Sequence, residues 1–538
     1  MKPTNDQGRK GYVLGITLVA TLGGLLFGYD TAVISGAVGS LQAFFIDSLQ
    51  ADASKAAAVI QQFRISVSVV IMIIGLAISG QMLKLFGKKK GYLLSATLLS
   101  ILLLVLGFSF LNQPLVMTER IANSLKGFTI ASALVGCIIG GSLAGFVSQT
   151  IGRKNGLLIA AMLFALSAIG SAIPERMNFM GLEVINAFIV FRVIGGIGVG
   201  MASMLSPMYI AEIAPANMRG RLVSWNQFAI IFGMLVVYFV NYFIARQGDD
   251  QWLVETGWRW MFASETIPAA LFFVLLLFVP ETPRFLVMKG RPEEAHSILV
   301  KLSGKLRAAV VIEEIKATLQ QKSAPWLSYG GLVIIIGILI SVFQQFVGIN
   351  VVLYYAPEIF RSMGSGTDTS LLQTIIVGAV NLTFTVVAIL TVDRFGRKPL
   401  MIIGALGMAV SMFMLGMSFY FERLGVGALI FMLTYTAAFA VSWGPVAWVL
   451  LSEIFPNNIR GAMSIAVAAQ WIANLVISWT FPIMNDNTWL TSMFNQGFSY
   501  WIYGLMGLLA ALFIWKMVPE TKGKTLEEMD ALWTKNNQ

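Results

Sequence analysis

The sequence predicts an all-α polytopic membrane protein made of two related halves, and three observations support this prediction. Hydrophobic residues make up 57% of the 538 residues and charged residues only 12%, which is about half the charged share of soluble proteins. Many windows of about 20 residues carry no charge, and an α-helix needs this length to cross the hydrocarbon core of a bilayer. The third observation is that the same short motifs occur twice in the chain.

Three motifs recur in one order, about 240 residues apart: Gly152–Lys154 with Gly396–Lys398, Glu212–Gly220 with Glu453–Gly461, and Pro280–Thr282 with Pro519–Thr521. A constant order at a nearly constant spacing indicates a duplicated half. Duplicated halves in a strongly apolar chain are typical of secondary transporters, whose substrate site lies where the halves meet.

About fourteen apolar spans follow one another along the chain, near residues 11–36, 65–83, 91–111, 127–148, 156–173, 184–208, 222–245, 259–279, 328–360, 370–392, 400–418, 426–451, 462–484 and 498–518. Lys and Arg cluster in short loops on alternate sides of these spans, which is the positive-inside pattern. An even number of spans after a basic start predicts that both termini lie in the cytoplasm.

The same pattern delimits the domains: an N-terminal half over 1–279, a cytoplasmic helical linker over 280–327, a C-terminal half over 328–518 and a cytoplasmic tail over 519–538. The repeat accounts for six spans in each half, so the first half holds two more than the second. This surplus pair lies within 62–111, and its basic turn Gly87–Lys89 resembles the turn Gly152–Lys154. We interpret it as a local copy of the next two spans, inserted after the first helix.

Several other functions are excluded by composition. The net charge of +10 follows from the loop bases just described, so we expect no nucleic-acid partner. Cys137 is the only cysteine and His296 the only histidine, which leaves no disulfide, no His/Cys metal site and no Cys–His nucleophile. The segment Gly523–Thr525 resembles the end of a phosphate-binding loop, but Val518 stands where its first glycine is required. We expect neither a cofactor nor an enzymatic activity.

Longer strings carry a family resemblance: Thr21–Asp30, Gly152–Lys154, Pro280–Arg284, Phe343–Asn350, Asp393–Lys398, Ser442–Trp448 and Pro519–Gly523. Through them the chain resembles the sugar porters of the major facilitator superfamily, over nearly its whole length except about 45–115. The resemblance implies two six-helix halves, a monosaccharide substrate such as D-xylose or a related pentose or hexose, and a proton gradient as the energy source. It also implies a functional monomer in the cell inner membrane.

Three departures from the family pattern are visible in the sequence. The extra helix pair is absent from the usual twelve-helix plan. Met234 stands where the D-xylose-transporting members carry a second glutamine on the helix of Gln227, which removes one polar contact and leaves the identity of the sugar open. Gln149 replaces the acid that is usual in the loop of the first half, so that gate is expected to be weaker than its counterpart at Asp393.

A sugar ring needs amide side chains for its hydroxyl groups and aromatic faces for its C–H surfaces. The expected substrate-binding residues are Phe27, Gln227, Gln344, Gln345, Asn350, Tyr354, Asn381, Gly444, Trp448, Gln470, Trp471 and Asn474. Gly348, between the amides of one span, predicts a local helix break that exposes backbone to the cavity. Isolated amides also join helices to one another, and this alternative stays open for Asn381 and Asn474.

Three charged residues within apolar spans are the expected proton-coupling group. A charge at mid-membrane costs about 2.5–3.5 kcal/mol on insertion scales, so Asp30 is expected to be paired or functional. Arg192 is the obvious intramembrane cation, and Glu265 is a second acid. The family resemblance favours proton exchange at Asp30 with modulation by Glu265, and the alternative is a static ion pair.

The resemblance also implies a cytoplasmic charge network that is broken in one state and not in the other, with the members Arg153, Glu212, Arg219, Asp393, Arg397, Glu453 and Arg460. The alternative is that these bases mark only the topology of the chain.

The combined expectation is a sugar–proton symporter working by alternating access. An uncoupled uniporter with the same site and a sugar sensor without transport are the rivals. Asp30 favours symport over uniport, because an uncoupled carrier has no need of a titratable group at this position. The short tail after Lys524 counts against a sensor.

The inserted pair has few intramembrane amides, and its Gln81 lies near one end. We therefore expect the helices at 65–83 and 91–111 to lie on the lipid-facing flank of the first half, outside the central cavity.

Overall fold

The computed structural model describes residues 9–111, 115–178, 181–215, 218–320, 324–523 and 533, and every regular element within these ranges is helical. Thirteen of the described helices are long and apolar enough to cross a membrane. A helix satisfies all its backbone hydrogen bonds internally, which is why apolar spans of this kind fold as helices. The predicted fold class is confirmed.

The helices of the first half are α1 (Lys10–Val33), α2 (Val38–Leu41), α3 (Ala53–Leu111), α4 (Glu119–Thr150), α5 (Arg153–Ala172), α6 (Val184–Ile213), α7 (Arg219–Ala245), α8 (Asp250–Trp252), α9 (Trp258–Ser264) and α10 (Thr266–Leu277). The last three continue through a π-helical turn, so that Asp250–Leu277 forms one span. A 3-10 turn and a π-helical turn similarly extend α1, giving one long span, Lys10–Leu49.

The connector between the halves holds three short helices, α11 (Pro283–Met288), α12 (Pro292–Ser303) and α13 (Lys305–Gln320). The second half contains α14 (Leu332–Phe346), α15 (Ile349–Ser362), α16 (Thr367–Phe395), α17 (Arg397–Tyr420), α18 (Val426–Val441), α19 (Pro445–Ile454), α20 (Met463–Asn485), α21 (Thr488–Phe494) and α22 (Gly497–Met517).

Glycines in the left-handed region form the tight turns of the repeated basic loops. Gly152 has φ 101° and ψ 174°, and Gly396 has φ 90° and ψ 160°. Residues other than glycine rarely adopt such angles. Each glycine therefore ends one span and lets the next begin immediately at Arg153 or Arg397. We call the end of the molecule that carries these two loops the basic end.

The inserted segment repeats this turn. Helix α3 runs through 59 residues but bends at Gly87, whose φ of 74° and ψ of 172° match those of Gly152 and Gly396. Its first arm, Ala53–Gly87, is one of the thirteen spans. The predicted fourteenth span, 91–111, follows the bend, and the side chains of residues 104–111 lie outside the described part of the structure.

The two halves touch at the end opposite the basic loops. Lys126 Nζ of α4 forms an ion pair of 2.8 Å with Asp486 Oδ2, and Trp479 Nε1 of α20 donates to Ser124 O at 3.0 Å. A Cβ on Gly127 would lie 2.1 Å from Trp479 O, so α4 and α20 are in close backbone contact there. Nearer the basic end, a Cβ on Gly145 of α4 would meet no atom within 4 Å. The halves therefore diverge toward the basic end.

Candidate functional site

A cavity of about 2370 Å³ lies between the two halves and reaches the basic end. Among the residues that line it are all twelve predicted substrate-binding residues: Phe27, Gln227, Gln344, Gln345, Asn350, Tyr354, Asn381, Gly444, Trp448, Gln470, Trp471 and Asn474. They come from both halves, mostly from the second. The cavity thus combines neutral amides with aromatic rings, as recognition of an uncharged polyhydroxyl compound requires.

The amide cluster is built on the expected helix break. Helix α14 ends at Phe346, and Gly348 has φ 92° before α15 begins at Ile349. The carbonyl of Val347, released by the break, accepts a hydrogen bond of 2.8 Å from Tyr435 OH. A Cβ on Gly348 would lie 2.8 Å from the Tyr503 ring, so both the conformation and the space require glycine here.

The break turns three amides into one network. Asn350 Nδ2 donates to Gln345 Oε1 at 2.5 Å, and Gln345 Nε2 lies 3.5 Å from Gln344 Oε1. Gln344 Nε2 in turn donates to the backbone oxygen of Trp443 at 2.8 Å. These side chains hold each other in position in the cavity wall. Their orientation is therefore set before a ligand arrives.

Two rings from opposite halves meet across the cavity. The ring centroids of Phe27 in α1 and Trp471 in α20 lie 5.7 Å apart. Asn474, one turn after Trp471, accepts a hydrogen bond of 3.0 Å from Ser478 Oγ. Met234 of α7 also lines the cavity and is 8% exposed. Met234, the residue that differs from the glutamine of the D-xylose-transporting members, therefore faces the same cavity as the amides.

Asp30 and Arg192 form a fully buried ion pair outside the cavity wall. Arg192 Nη1 lies 2.7 Å from Asp30 Oδ1, and the two residues are 1% and 0% exposed. Arg192 Nη2 also donates to the backbone oxygen of Asp30 at 2.9 Å, and the guanidinium lies 5.2 Å from the Phe262 ring centroid. The double contact fixes the geometry of the pair.

Glu265 is a third buried charge beside this pair. It is 0% exposed and interacts electrostatically with both Asp30 and Arg192. Among the described residues, no donor reaches either Glu265 oxygen or Asp30 Oδ2. Three charged side chains are thus buried together inside the protein, and the ion pair among them joins Arg192 to Asp30.

The two sites are connected through α1. Phe27 lines the cavity, and Asp30 follows three residues later, close to one turn along the same helix. Thr31 Oγ1 donates to the backbone oxygen of Phe27 at 2.8 Å within this turn. A shift of α1 therefore moves the cavity ring and the buried carboxylate together.

The predicted gate residues form two charge clusters at the basic end, one within each half. In the first half, Arg153 Nη2 lies 2.8 Å from Glu212 Oε1, and Thr282 Oγ1 donates to Glu212 Oε2 at 2.6 Å. Glu281 Oε1 accepts from the backbone nitrogen of Arg153 at 3.1 Å, and Glu281 Oε2 from that of Lys154 at 3.1 Å. Burial raises the pKa of Glu281, against the opposing effect of these N–H groups.

The second half repeats the main contacts of this arrangement. Arg397 Nη2 lies 2.8 Å from Glu453 Oε1, and Thr521 Oγ1 donates to Glu453 Oε2 at 2.6 Å. Glu520 accepts from the backbone nitrogens of Arg397 and Lys398 at 3.2 and 3.0 Å. Each cluster joins the three repeated motifs of its own half, so these contacts hold each half together as a unit.

The remaining gate residues are placed only in part. Arg219 lines the cavity toward the basic end, whereas the side chains of Asp393 and Arg460 lie outside the described residues. Sequence reasoning did not assign a role to Glu281 and Glu520. Their signal was present in the repeated Pro-Glu-Thr motif, which served as evidence of duplication and of the family resemblance.

The expected position of the inserted pair is wrong in one respect. Gln81 and Lys84, at the basic end of the first arm of α3, line the cavity. Much of the arm does face outward, with Ile65 59% and Leu76 57% exposed. Its last turns nevertheless line the side of the cavity, where Gln81 Oε1 lies 3.5 Å from Ser464 Oγ of α20. The divergence of α4 and α20 is a tertiary feature that the local pattern does not encode.

Comparison with known proteins agrees with this architecture. The family described as "Sugar (and other) transporter" matches residues 16–121 and 112–533, in two pieces that meet beside the inserted pair. The D-xylose-proton symporter of Escherichia coli (strain K12) is 54% identical over 98% of this chain and 97% of its own length. The glucose facilitated diffusion protein of Zymomonas mobilis is 38% identical over 98% and 99%.

A solved structure of the xylose transporter XylE from E. coli in an inward-open conformation superposes with a TM-score of 0.77 at 53% identity, covering 97% of this chain and all of the other. The match extends through both halves, and it agrees with the cavity that opens at the basic end. The protein is therefore a multi-pass inner-membrane protein that belongs to the sugar transporter family.

Proposed function

We propose that this protein is a sugar–proton symporter that imports a monosaccharide by alternating access, with D-xylose as the first candidate substrate. The observation that carries the proposal is the buried group of Asp30, Arg192 and Glu265 next to a cavity of amides and aromatic rings. A carrier that only equilibrates a sugar has no need of two carboxyl groups around one guanidinium in its core. The 54% identity to an E. coli D-xylose-proton symporter supports the same activity.

Proton exchange at Asp30 supplies the coupling step. When Asp30 is ionised, its carboxylate and Arg192 attract each other at 2.7 Å in a medium where such attraction is strong. Protonation of Asp30 removes its charge and weakens that contact, so the link between α1 and α6 is loosened while the backbone contact of Arg192 stays. We propose that Glu265, buried beside the pair, modulates the interaction of Asp30 with Arg192. The protonation state thereby biases the balance of the outward and inward states.

Sugar recognition falls to the amide network and the two rings. Gln344, Gln345 and Asn350 present oriented donors and acceptors to the ring hydroxyls. Phe27 and Trp471 offer apolar faces from opposite halves. A sugar bound against this ring pair and the amide network contacts both halves at once, so its binding favours closure of the cavity around it.

The energy available from one proton is sufficient for accumulation. Moving one charge through about 100 mV supplies about 2.3 kcal/mol, which corresponds to a gradient of several tens-fold in a neutral sugar.

We propose that the basic end faces the cytoplasm, because Lys and Arg concentrate there, and that both termini lie on this side. Each protein carries its own complete cavity between its two halves, so we propose a functional monomer.

A second candidate is uncoupled transport, since a relative 38% identical is a glucose facilitated diffusion protein. Binding of sugar without transport is the third. Purified protein in proteoliposomes separates all three. We expect D-xylose to accumulate above its external concentration when an inward proton gradient is imposed, and to equilibrate when the gradient is dissipated. Equal uptake with and without the gradient would establish uniport, and binding without uptake would establish a sensor.

A further inference from the structure

The first arm of α3 is anchored to the first half at the end remote from the basic loops. Gln62 Oε1 accepts hydrogen bonds from the backbone nitrogen of Glu183 at 2.8 Å and from Asn186 Nδ2 at 3.0 Å. The ring of Phe63 packs edge-on against Phe128 of α4 at 5.4 Å. Two hydrogen bonds and a buried ring contact attach this end of the arm to α4 and α6.

The other end of the same arm contacts the second half and the end of the linker that packs on it. Lys84 Nζ lies 5.6 Å from the ring centroid of Trp326, which precedes α14, and a Cβ on Gly461 would lie 3.4 Å from the same indole. Gln81 Oε1 lies 3.5 Å from Ser464 Oγ in α20. One helix is thus attached to the first half near the outer surface and to the second half near the cytoplasm.

These second-half contacts occur beside the open cavity. Helices α4 and α20 touch through Lys126 and Asp486 at the outer side and separate toward the basic end. The last turns of the arm occupy the side of that opening, where Gln81 and Lys84 line the cavity. When alternating access closes the cytoplasmic side, the basic ends of α4 and α20 approach each other. The surroundings of Gln81 and Lys84 at the side of that opening then change.

We propose that the inserted helix pair is a lateral strap, defined by residues 53–111, which stabilises the inward-open state through contacts that exist only while the halves are apart. A contact made in one of two states shifts their ratio by its full free energy, whereas a contact made in both shifts nothing. The attachment at Gln62 and Phe63 lies wholly within the first half and survives the transition. The contacts of Gln81 and Lys84 cross between the halves and break.

This inference rests on the proposed alternating access, but its first test needs no transport. Spin labels on Gln149→Cys of α4 and Phe395→Cys of α16, in a Cys137→Ala background, report the separation of the basic ends. We expect the Gln81→Ala/Lys84→Ala variant to lower the ratio of the long to the short distance population about threefold, the scale of an exposed cation–π contact. The matched control is Lys89→Ala, which removes an equal charge from the exposed turn of the same hairpin and should leave the ratio unchanged.

An unchanged ratio in the double variant would overturn the strap. So would an equal fall in the double variant and in Lys89→Ala, because the effect would then come from charge alone.

The second test joins Lys84→Cys to Trp326→Cys with a short bifunctional maleimide. We expect the linked protein to bind sugar and to show only the long distance population, with transport abolished. If the cross-link forms completely and the distance distribution stays that of the parent protein, the arm moves with the second half and does not stabilise the inward-open state.

Discussion

The guanidinium of Arg192 holds Asp30 by two different atoms, the side-chain oxygen Oδ1 at 2.7 Å and the backbone oxygen at 2.9 Å. The backbone contact does not depend on the protonation of Asp30, whereas the side-chain contact does. Protonation can therefore weaken the link between α1 and α6 without detaching the two helices completely. This arrangement suits a group that must respond to a proton and still keep its position.

Asp30→Asn should abolish proton-driven accumulation and spare sugar binding and sugar–sugar exchange. Asparagine has the shape of a protonated aspartate, so the sugar-loaded protein can still reorient, but no proton is exchanged. Because one partner of a buried pair loses its charge, stability is expected to fall by up to about 3–5 kcal/mol. Uptake and exchange in the same proteoliposomes measure the effect, and sugar concentrated by the variant under a proton gradient would transfer the coupling role to Glu265.

Gln345→Ala should weaken sugar binding by about 1–3 kcal/mol with the fold intact, because hydroxyl groups of the sugar would lose a partner in a desolvated site. The variant also removes the acceptor of Asn350, 2.5 Å away. Titration calorimetry with D-xylose measures the loss. Asn381→Ala is a useful comparison, since its amide lines the same cavity without belonging to this network. Parental affinity in a well-folded Gln345→Ala protein would remove Gln345 from the site.

Met234→Gln should shift the preference of the protein toward D-xylose. Met234 is nearly buried and faces the cavity, so a new amide there is positioned to donate and accept. One added hydrogen bond is expected to favour xylose by about 1 kcal/mol. The measurement is the affinity for xylose relative to glucose and arabinose in parent and variant, with Met234→Leu as the control for side-chain volume. An unaltered ratio would show that selectivity is set elsewhere in the cavity.

Glu281→Gln and Glu520→Gln should destabilise their own halves to similar extents. Glu281 accepts hydrogen bonds from three backbone N–H groups and Glu520 from four, two of them in each case at the start of a helix. Charged acceptors form the stronger bonds. We expect a loss of about 1–3 kcal/mol for either change. Thermal unfolding in detergent measures it. A large effect at one site and none at the other would contradict the equivalence of the two clusters.

Gly348→Ala should damage both stability and sugar binding. A non-glycine residue at φ 92° carries strain of about 1–3 kcal/mol, and the new Cβ would also meet the Tyr503 ring at 2.8 Å. Relief requires a shift of the break between α14 and α15, which positions Gln345 and Asn350. Gly364→Ala tests the angle alone, since it has φ 93° in open space. Equal sugar affinity in the two variants would show that the break is not needed to orient the amides.

The sequence by itself determined the membrane class, the duplication, the sugar-cavity residues and the members of the buried charged group. The class and the duplication follow from composition and from the spacing of the repeated motifs, whereas the roles expected of the cavity and buried charged residues came in part from the family resemblance. The break at Gly348 was also readable, because the glycine interrupts an apolar span between amides.

Only the tertiary structure decided which partners these groups take and how far apart the halves stand. Glu281 and Glu520 cap the basic turns from more than 120 residues away, and no local pattern specifies such a pairing. The last turns of α3 line the cavity because α4 and α20 diverge beside them. That divergence is a property of one conformational state. A sequence encodes both states of a two-state carrier, and therefore it cannot indicate which surfaces are covered in either one.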